Sequence, residues 1–234
     1  FCILKEAGVT RISINPQTMH QKTLDLIGRA HTVVQTKEAF LLARECGFDN
    51  INMDMITGLP GEDISHVHAT LDEIFALRPE SLTVHSLAIK RAAHLNMEME
   101  KYQNMVKGST NEMLRLVDEY ASNMGMEAYY MYRQKNAVGN LENVGYAKPG
   151  SACMYNIYMM EEMHSIFGVG AGAVTKLVEH TGGAPRMKRI FAPKYPYEYL
   201  RDIEKLRAGD KEAGIPSYAD KVRAFFRVGE EENT

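Results

Sequence analysis

Apolar and polar positions alternate most cleanly over residues 50–63, N-I-N-M-D-M-I-T-G-L-P-G-E-D. Ile51, Met53 and Met55 fall on one side of an extended chain, and Asn52, Asp54 and Ile56 on the other. Gly58, Pro60 and Gly61 stop this strand, and Asp63 stands where a helix N-cap belongs. The same alternation predicts a strand over residues 10–15, around Ile12 and Ile14, ended by Pro16. A third covers residues 81–89 through Leu82, Val84 and Leu87, and a fourth the Tyr-rich residues 126–133.

Helical periods lie between them. Phe1, Ile3, Leu4 and Ala7 share a face that Gly8 closes. Thr18 and Gln21 have capping-box spacing ahead of a short helix through Leu24 and Ile27, closed at Gly28. A second helix runs from about Thr36 to Cys46, with Phe40 and Ala43 on one face. Val67, Leu71, Ile74 and Phe75 mark a third, ahead of Pro79. Ser109 and Glu112 open a fourth, lined by Leu114, Val117, Ala121 and Met124. The order β-α-β-α-β-α-β predicts a parallel sheet with helical crossovers.

From Asn136 the pattern changes. Residues 136–150 are rich in Gly and Asn and predict a loop, and residues 155–164 are weakly amphipathic. Residues 165–178 resemble a strand broken by glycines, able to pair with residues 186–192 across a turn at Gly182 and Gly183. Leu200, Ile203 and Leu206 predict a helix over residues 197–206, and residues 230–234 an untethered end. The expected division is a parallel α/β region, residues 1–135, and an α+β region, residues 136–234.

Composition narrows the function classes. With 45% hydrophobic and 24% charged residues the chain is globular. A net charge of −3 and a pI near 6.3 leave no footprint for nucleic acid. No apolar run approaches the ~20 residues that span a bilayer. Cys2, Cys46 and Cys153 are widely spaced and odd in number, which predicts neither disulfides nor a metal site, and a reducing, cytoplasmic setting. His66 and His68 stand two apart on a helix and cannot share a metal. Gly168, Gly170 and Gly172 are spaced G-x-G-x-G, not as a dinucleotide fingerprint, and suit a close backbone approach instead. The chain opens on Phe1, inside what reads as the end of a helix, whereas a parallel α/β domain starts on a strand. The expectation is a piece of a longer protein.

Asp54 is the candidate for chemistry, because an acid inside an apolar strand is costly unless it has a partner. That partner is either a ligand or the amides of the following loop. Gln17, Arg29 and Ala88 also stand at or just beyond predicted strand ends, on the same rim as Asp54 if the sheet is parallel. An amide, a guanidinium and a carboxylate there suit a zwitterionic ligand that carries hydroxyls.

At these residues, G-V-T-R-I-S-I-N-P-Q, L-I-G-R-A-H and I-N-M-D-M-I-T-G-L-P-G resemble radical S-adenosylmethionine enzymes of the oxygen-independent coproporphyrinogen III oxidase group, with its haem-chaperone relatives. Y-N-I-Y and G-V-G-A-G-A-V-T resemble that group's C-terminal half, and V-H-S-L-A-I-K-R its coproporphyrinogen dehydrogenase-like members. The resemblance implies a partial (β/α)6 barrel, of which this chain holds the last three strands, with an α+β C-terminal domain. It implies S-adenosylmethionine and a [4Fe–4S] cluster on C-x-x-x-C-x-x-C in the parent. That motif is absent here, so the chain itself is expected to bind no cluster and to be inactive alone. By resemblance Gln17, Arg29, Asp54 and Ala88 contact a second S-adenosylmethionine, and Val174 lies near the first. No catalytic residue or metal ligand is assigned. The implied reaction converts porphyrinogen propionates to vinyl groups with loss of carbon dioxide, served by an electron donor to the cluster. The alternative is a haem carrier without oxidase activity. Tyr158 stands two after Asn156, where the group has Gln, so the substrate contacts differ. An open edge on the strand over residues 10–15 predicts self-association.

Overall fold

A computed structural model describes residues 1–87, 110–133, 142–180, 182–210 and 214–231. They form two compact units, Phe1–Cys153 and Met154–Thr234. The first contains α1 (Cys2–Glu6), β1 (Ile12–Ser13), α2 (Gln21–Leu26), α3 (Val33–Glu45), β2 (Ile51–Thr57), α4 (Ile64–Leu77), β3 (Ser81–Ser86), α5 (Thr110–Asn123), β4 (Glu127–Arg133) and β5 (Glu142–Ala147).

Five strands make one sheet in the order β1-β2-β3-β5-β4. β1, β2 and β3 are parallel, with Ile12 opposite Ile51 and Asn52 opposite Ser81. Alternation along β2 sends Ile51, Met53 and Met55 into the core. There they meet Leu82 and Val84 of β3, Phe40 and Ala43 of α3, Leu71 and Ile74 of α4, and Met113 and Val117 of α5. Burying a side chain such as Leu71 contributes about 1.5–3 kcal/mol. This is a sheet with helices on its apolar face, as the α/β pattern implies.

The predicted fourth strand departs from expectation. β4 does not lie beside β3, because β5 is inserted between them, antiparallel to both. β5 falls inside the stretch read as a loop, so the first unit includes Glu142–Ala147. Its pattern is faint because glycine interrupts it. A Cβ on Gly145 would lie 1.8 Å from the Tyr130 ring, so only glycine lets that ring cross the strand.

Helix starts also shift. Thr32 and Gln35 form the capping box of α3, which begins at Val33 rather than near Thr36. The N-cap of α2 is His20, and the Thr18 hydroxyl is used elsewhere. Asp63 caps α4 as expected, accepting from the N–H groups of Ser65 and His66. The proposed cap Ser109 and strand residues 88–89 lie outside the described residues.

The cysteine expectation is overturned: Cys2 and Cys46 are joined by a disulfide, Cα atoms 4.9 Å apart, and only Cys153 is free. Their 44-residue separation in sequence conceals that α1 packs at the C-terminal end of α3.

The second unit contains α6 (Met154–Glu161), β6 (Val174–Glu179), β7 (Arg186–Phe191), α7 (Pro196–Arg201), α8 (Ile203–Ala208) and α9 (Tyr218–Glu231). β6 and β7 form the expected antiparallel pair, Val174 opposite Phe191. The helix over residues 197–206 is two helices divided at Asp202, and α9 has no counterpart in the sequence reading.

Candidate functional site

The face of the first sheet opposite its helix-covered core is polar. Register puts Ser13, Asn52 and Asp54 in line with Ser81 and Thr83, with His85 one step further. The antiparallel strands add Gly145, Asn143, Tyr130 and Tyr132. One β2 strand therefore carries the core on its odd positions and the candidate site on its even ones.

Asp54 sits in a hydrogen-bonded cluster. Asn52 donates from Nδ2 to Asp54 Oδ1 at 2.6 Å and to Ser13 Oγ at 2.8 Å. Thr83 donates its hydroxyl to Asn52 Oδ1 at 3.2 Å, which settles the amide's orientation. His85 Nε2 lies 3.7 Å from the other carboxylate oxygen, with both side chains partly buried. The carboxylate thus meets side chains of the sheet itself, Asn52 on its own strand and His85 on β3, where the loop amides were the alternative. Tyr130 and Tyr132 stack at 6.3 Å near the same charge. Burial pushes the Tyr130 hydroxyl up to about 12, with the neighbouring Tyr129 and Asp54 adding to the rise. Burial raises Tyr132 as well, again with Asp54 contributing. The phenols stay protonated and can donate, while the Asp54 carboxylate can accept or hold a cationic group and His85 can donate or accept according to its tautomer.

Gln17 is brought beside Asp54. Its N–H donates to the Asp54 carbonyl at 2.9 Å, and its own carbonyl accepts from Ile56 at 2.8 Å. Pro16 ends the regular ladder, yet Gln17 resumes it as a bridge to Met55. Gln17 is buried with φ of +66°, a costly conformation for a residue with a side chain. Glu62 helps explain how that loop is held. This fully buried carboxylate accepts from the Thr18 hydroxyl at 2.6 Å, and Thr70 receives the Met19 N–H at 3.1 Å. The loops after β1 and β2 are therefore tied together behind the rim.

Arg29 lies exposed in the turn after α2, where Gly28 takes φ of +71°. His31, two residues on, bonds the Pro16 carbonyl at 3.2 Å and draws this turn towards the loop after β1. Ala88 lies outside the described residues; Leu87 N–H, just before it, bonds the Thr57 carbonyl at 3.1 Å. Val174 starts β6 in the second unit. The structure thus joins Gln17 and Asp54 directly, and adds His85, Asn52 and Glu62, which the sequence reading did not assign. Register alone would have found Asn52. His85 was passed over because metal-ligand spacing was the test applied to histidines.

The donor set suits an organic cofactor with amine and hydroxyl groups, since carboxylate, amide and phenol face one polar surface. It does not suit an iron–sulfur cluster. Cys2 and Cys46 are bonded to each other, and Cys153 alone supplies no three-thiolate set.

Residues 1–74 match the radical SAM superfamily model. Over 202 residues the chain is 43% identical to the oxygen-independent coproporphyrinogen-III oxidase-like protein HemZ of Bacillus subtilis, covering 86% of this chain and 40% of that protein. It is 31% identical over 172 residues to the heme chaperone HemW of B. subtilis, covering 73% of this chain and 42% of that one. The fold matches that of coproporphyrinogen III oxidase (HemN) from Escherichia coli, a radical SAM enzyme, with a TM-score of 0.58 and 18% identity over 86% of this chain and 45% of that one. The chain spans less than half the length of these relatives.

Proposed function

We propose, from the premise that this chain belongs to the radical SAM superfamily, among the relatives of oxygen-independent coproporphyrinogen III oxidase, that its polar sheet face holds S-adenosylmethionine in a porphyrinogen-oxidising parent. The observation that carries the reading is Asp54, partly buried on that face beside the strained Gln17.

Asp54 accepts from an amine or a ribose hydroxyl of the cofactor, Gln17 and Arg29 complete the rim, and Arg29 takes its carboxylate. By the family resemblance Ala88 contacts the same cofactor molecule, whereas Val174 serves a different one, the S-adenosylmethionine cleaved at the cluster. S-adenosylmethionine, when bound, supplies radical chemistry. The chain's own contribution is to fix position: Asn52 and His85 orient Asp54, and Glu62 holds the loop that carries Gln17. Tyr130 and Tyr132, held protonated, close the far side of the face. The cluster's thiolates, and the electron donor that serves them, belong to parts of the parent outside these 234 residues. We assign the parent to the cytoplasm on the family resemblance alone, since the Cys2–Cys46 disulfide removes the cysteine argument for it. Separately, no helix among the described residues is long and apolar enough to cross a membrane.

The substrate is a porphyrinogen whose propionates lose hydrogen and carbon dioxide to become vinyl groups. The 31% identity to a heme chaperone supports a second reading, a carrier that binds haem without oxidising porphyrinogen. Incubating the parent anaerobically with coproporphyrinogen, S-adenosylmethionine and a reductant separates the two. Vinyl-bearing product supports the oxidase, whereas stable haem binding with unchanged coproporphyrinogen supports the carrier. We also propose that the isolated chain self-associates through β1, which lies at one edge of the sheet. Light scattering that gives the mass of one chain at every concentration contradicts this.

A further inference from the structure

The second unit contains a cavity of about 300 Å³ in which the cofactor rim takes no part. Its walls are mainly apolar, with Phe167, Val169, Phe191, Ile203 and Leu206 among them. Phe167, Val169 and Phe191 are each more than half exposed, so the chain's own packing leaves this apolar surface open.

The glycine run builds one wall. A Cβ on Gly168 would stand 2.7 Å from the Val174 carbonyl, so the segment before β6 lies flat against that strand only because it is glycine. The Gly168 N–H donates to the Thr175 hydroxyl at 2.9 Å, and that hydroxyl pairs with the Tyr218 hydroxyl at 2.6 Å. Both hydroxyl-bearing residues line the cavity.

Two cations also line it, Arg207 on α8 and Lys221 on α9. Their neighbours are neutralised, Lys205 by Asp210 at 3.5 Å and Arg223 by Asp220 at 3.2 Å. Among the described residues Arg207 and Lys221 have no carboxylate partner within ion-pair distance.

We propose that this cavity binds a small amphipathic carboxylate, an apolar chain or single ring with one anionic head. The apolar walls take the body, because burying it removes both surfaces from water. Arg207 and Lys221 take the head, the planar guanidinium matching a carboxylate in two parallel hydrogen bonds. The volume is at the lower end for small-molecule sites, which favours a chain or single ring over a macrocycle. The site uses none of Gln17, Arg29 and Asp54, so it is tested apart from that rim, although Val174, assigned above to a cofactor, lies between its lining residues Ala173 and Thr175.

Decanoate is the probe and decan-1-ol its neutral control, each titrated calorimetrically into the 234-residue chain. Decanoate binds one per chain, at least about tenfold tighter than decan-1-ol, and the double variant Arg207→Gln, Lys221→Gln removes that advantage. Both positions reach solvent, so the double variant is expected to fold, and its circular dichroism checks this. Ala192→Phe, which fills the cavity from one wall, abolishes binding of both probes. Absence of decanoate binding, equal affinity for the two probes, or undiminished decanoate binding to the double variant or to Ala192→Phe overturns the proposal. The last result would mean that decanoate binds elsewhere.

Discussion

The two units use apolar residues in opposite ways. In the first, β2 and β3 each send alternate side chains into a layer of three helices, and Ile51, Met53, Leu71, Leu82 and Met113 are completely enclosed. In the second, only Leu177, Val178 and Phe225 are buried among its described large apolar residues, and β7 is exposed along most of its length. Lys176 is buried there instead, its ammonium donating to the Met159 carbonyl at 3.0 Å. In this mixed sheet the helices cover one face and leave the other polar, so the first unit has a closed core and one polar working face. The second has an apolar surface still to be covered, which is where a ligand gains most from burial.

The largest expected effect sharpens that contrast. Leu71→Ala leaves a cavity in the enclosed core and should destabilise by about 2–5 kcal/mol. Leu200→Ala, at an exposed position of α7, should change stability by no more than about 0.5 kcal/mol. Urea unfolding of both variants, followed by circular dichroism, makes the comparison; equal losses would remove it.

A smaller effect tests how the working face is assembled. Gly145→Ala drives a methyl group into the Tyr130 ring and should cost about 1–3 kcal/mol. Combining it with Tyr130→Ala should cost less than the sum of the two single changes, because the clash then has no second partner. Strict additivity would mean that the ring does not lie over β5.

The smallest effect is read in alkali. Tyr130 ionises near 12 in the folded chain against about 10 when unfolded, so the unfolded chain loses its proton first. Its contribution is therefore complete below about pH 10 and is lost as pH rises towards 12. Phenolate absorbance should show a group of late-titrating tyrosines, Tyr120, Tyr132 and Tyr146 together with Tyr130, and Tyr130→Phe should lower the amplitude of that late step by one phenolate. A complete titration of every tyrosine near pH 10 with the fold intact would contradict it.

Periodic segments were legible because one rule governed each. β2 alternates, α4 repeats every three to four residues, and Asp63 marks its start by residue type alone. What escaped depended on distant partners. β5 has two alternating apolar residues and a glycine, Gly145, whose reason is the ring of Tyr130, fifteen positions earlier in the chain. Cys2 and Cys46 meet only because α1 and α3 pack together, and no spacing rule covers that. α9 is amphipathic, but its apolar face follows a stretch with no other regular signal. At the site, Gln17 and Asp54 were placed on one rim by strand ends, which parallel pairing then brings into contact. His85 and Glu62 were not, since cross-strand register and a buried tie between loops are invisible until the strands are aligned. The sequence puts Arg29 at a strand end, but it follows α2, and only the His31 contact with Pro16 draws its turn towards the loop after β1.

The central claim is that Asp54 serves a cofactor rather than the fold. Titrating S-adenosylmethionine calorimetrically into the parent protein that carries this chain, and into its Asp54→Ala variant, tests it most directly, with melting temperatures recorded alongside. Removing a charged hydrogen-bond partner should weaken binding by about 1.5–3 kcal/mol, roughly 10- to 150-fold, while the melting temperature moves by only a few degrees. Unchanged affinity with a collapsed melting temperature would show that Asp54 holds Asn52 and the sheet together, and that the cofactor binds without it.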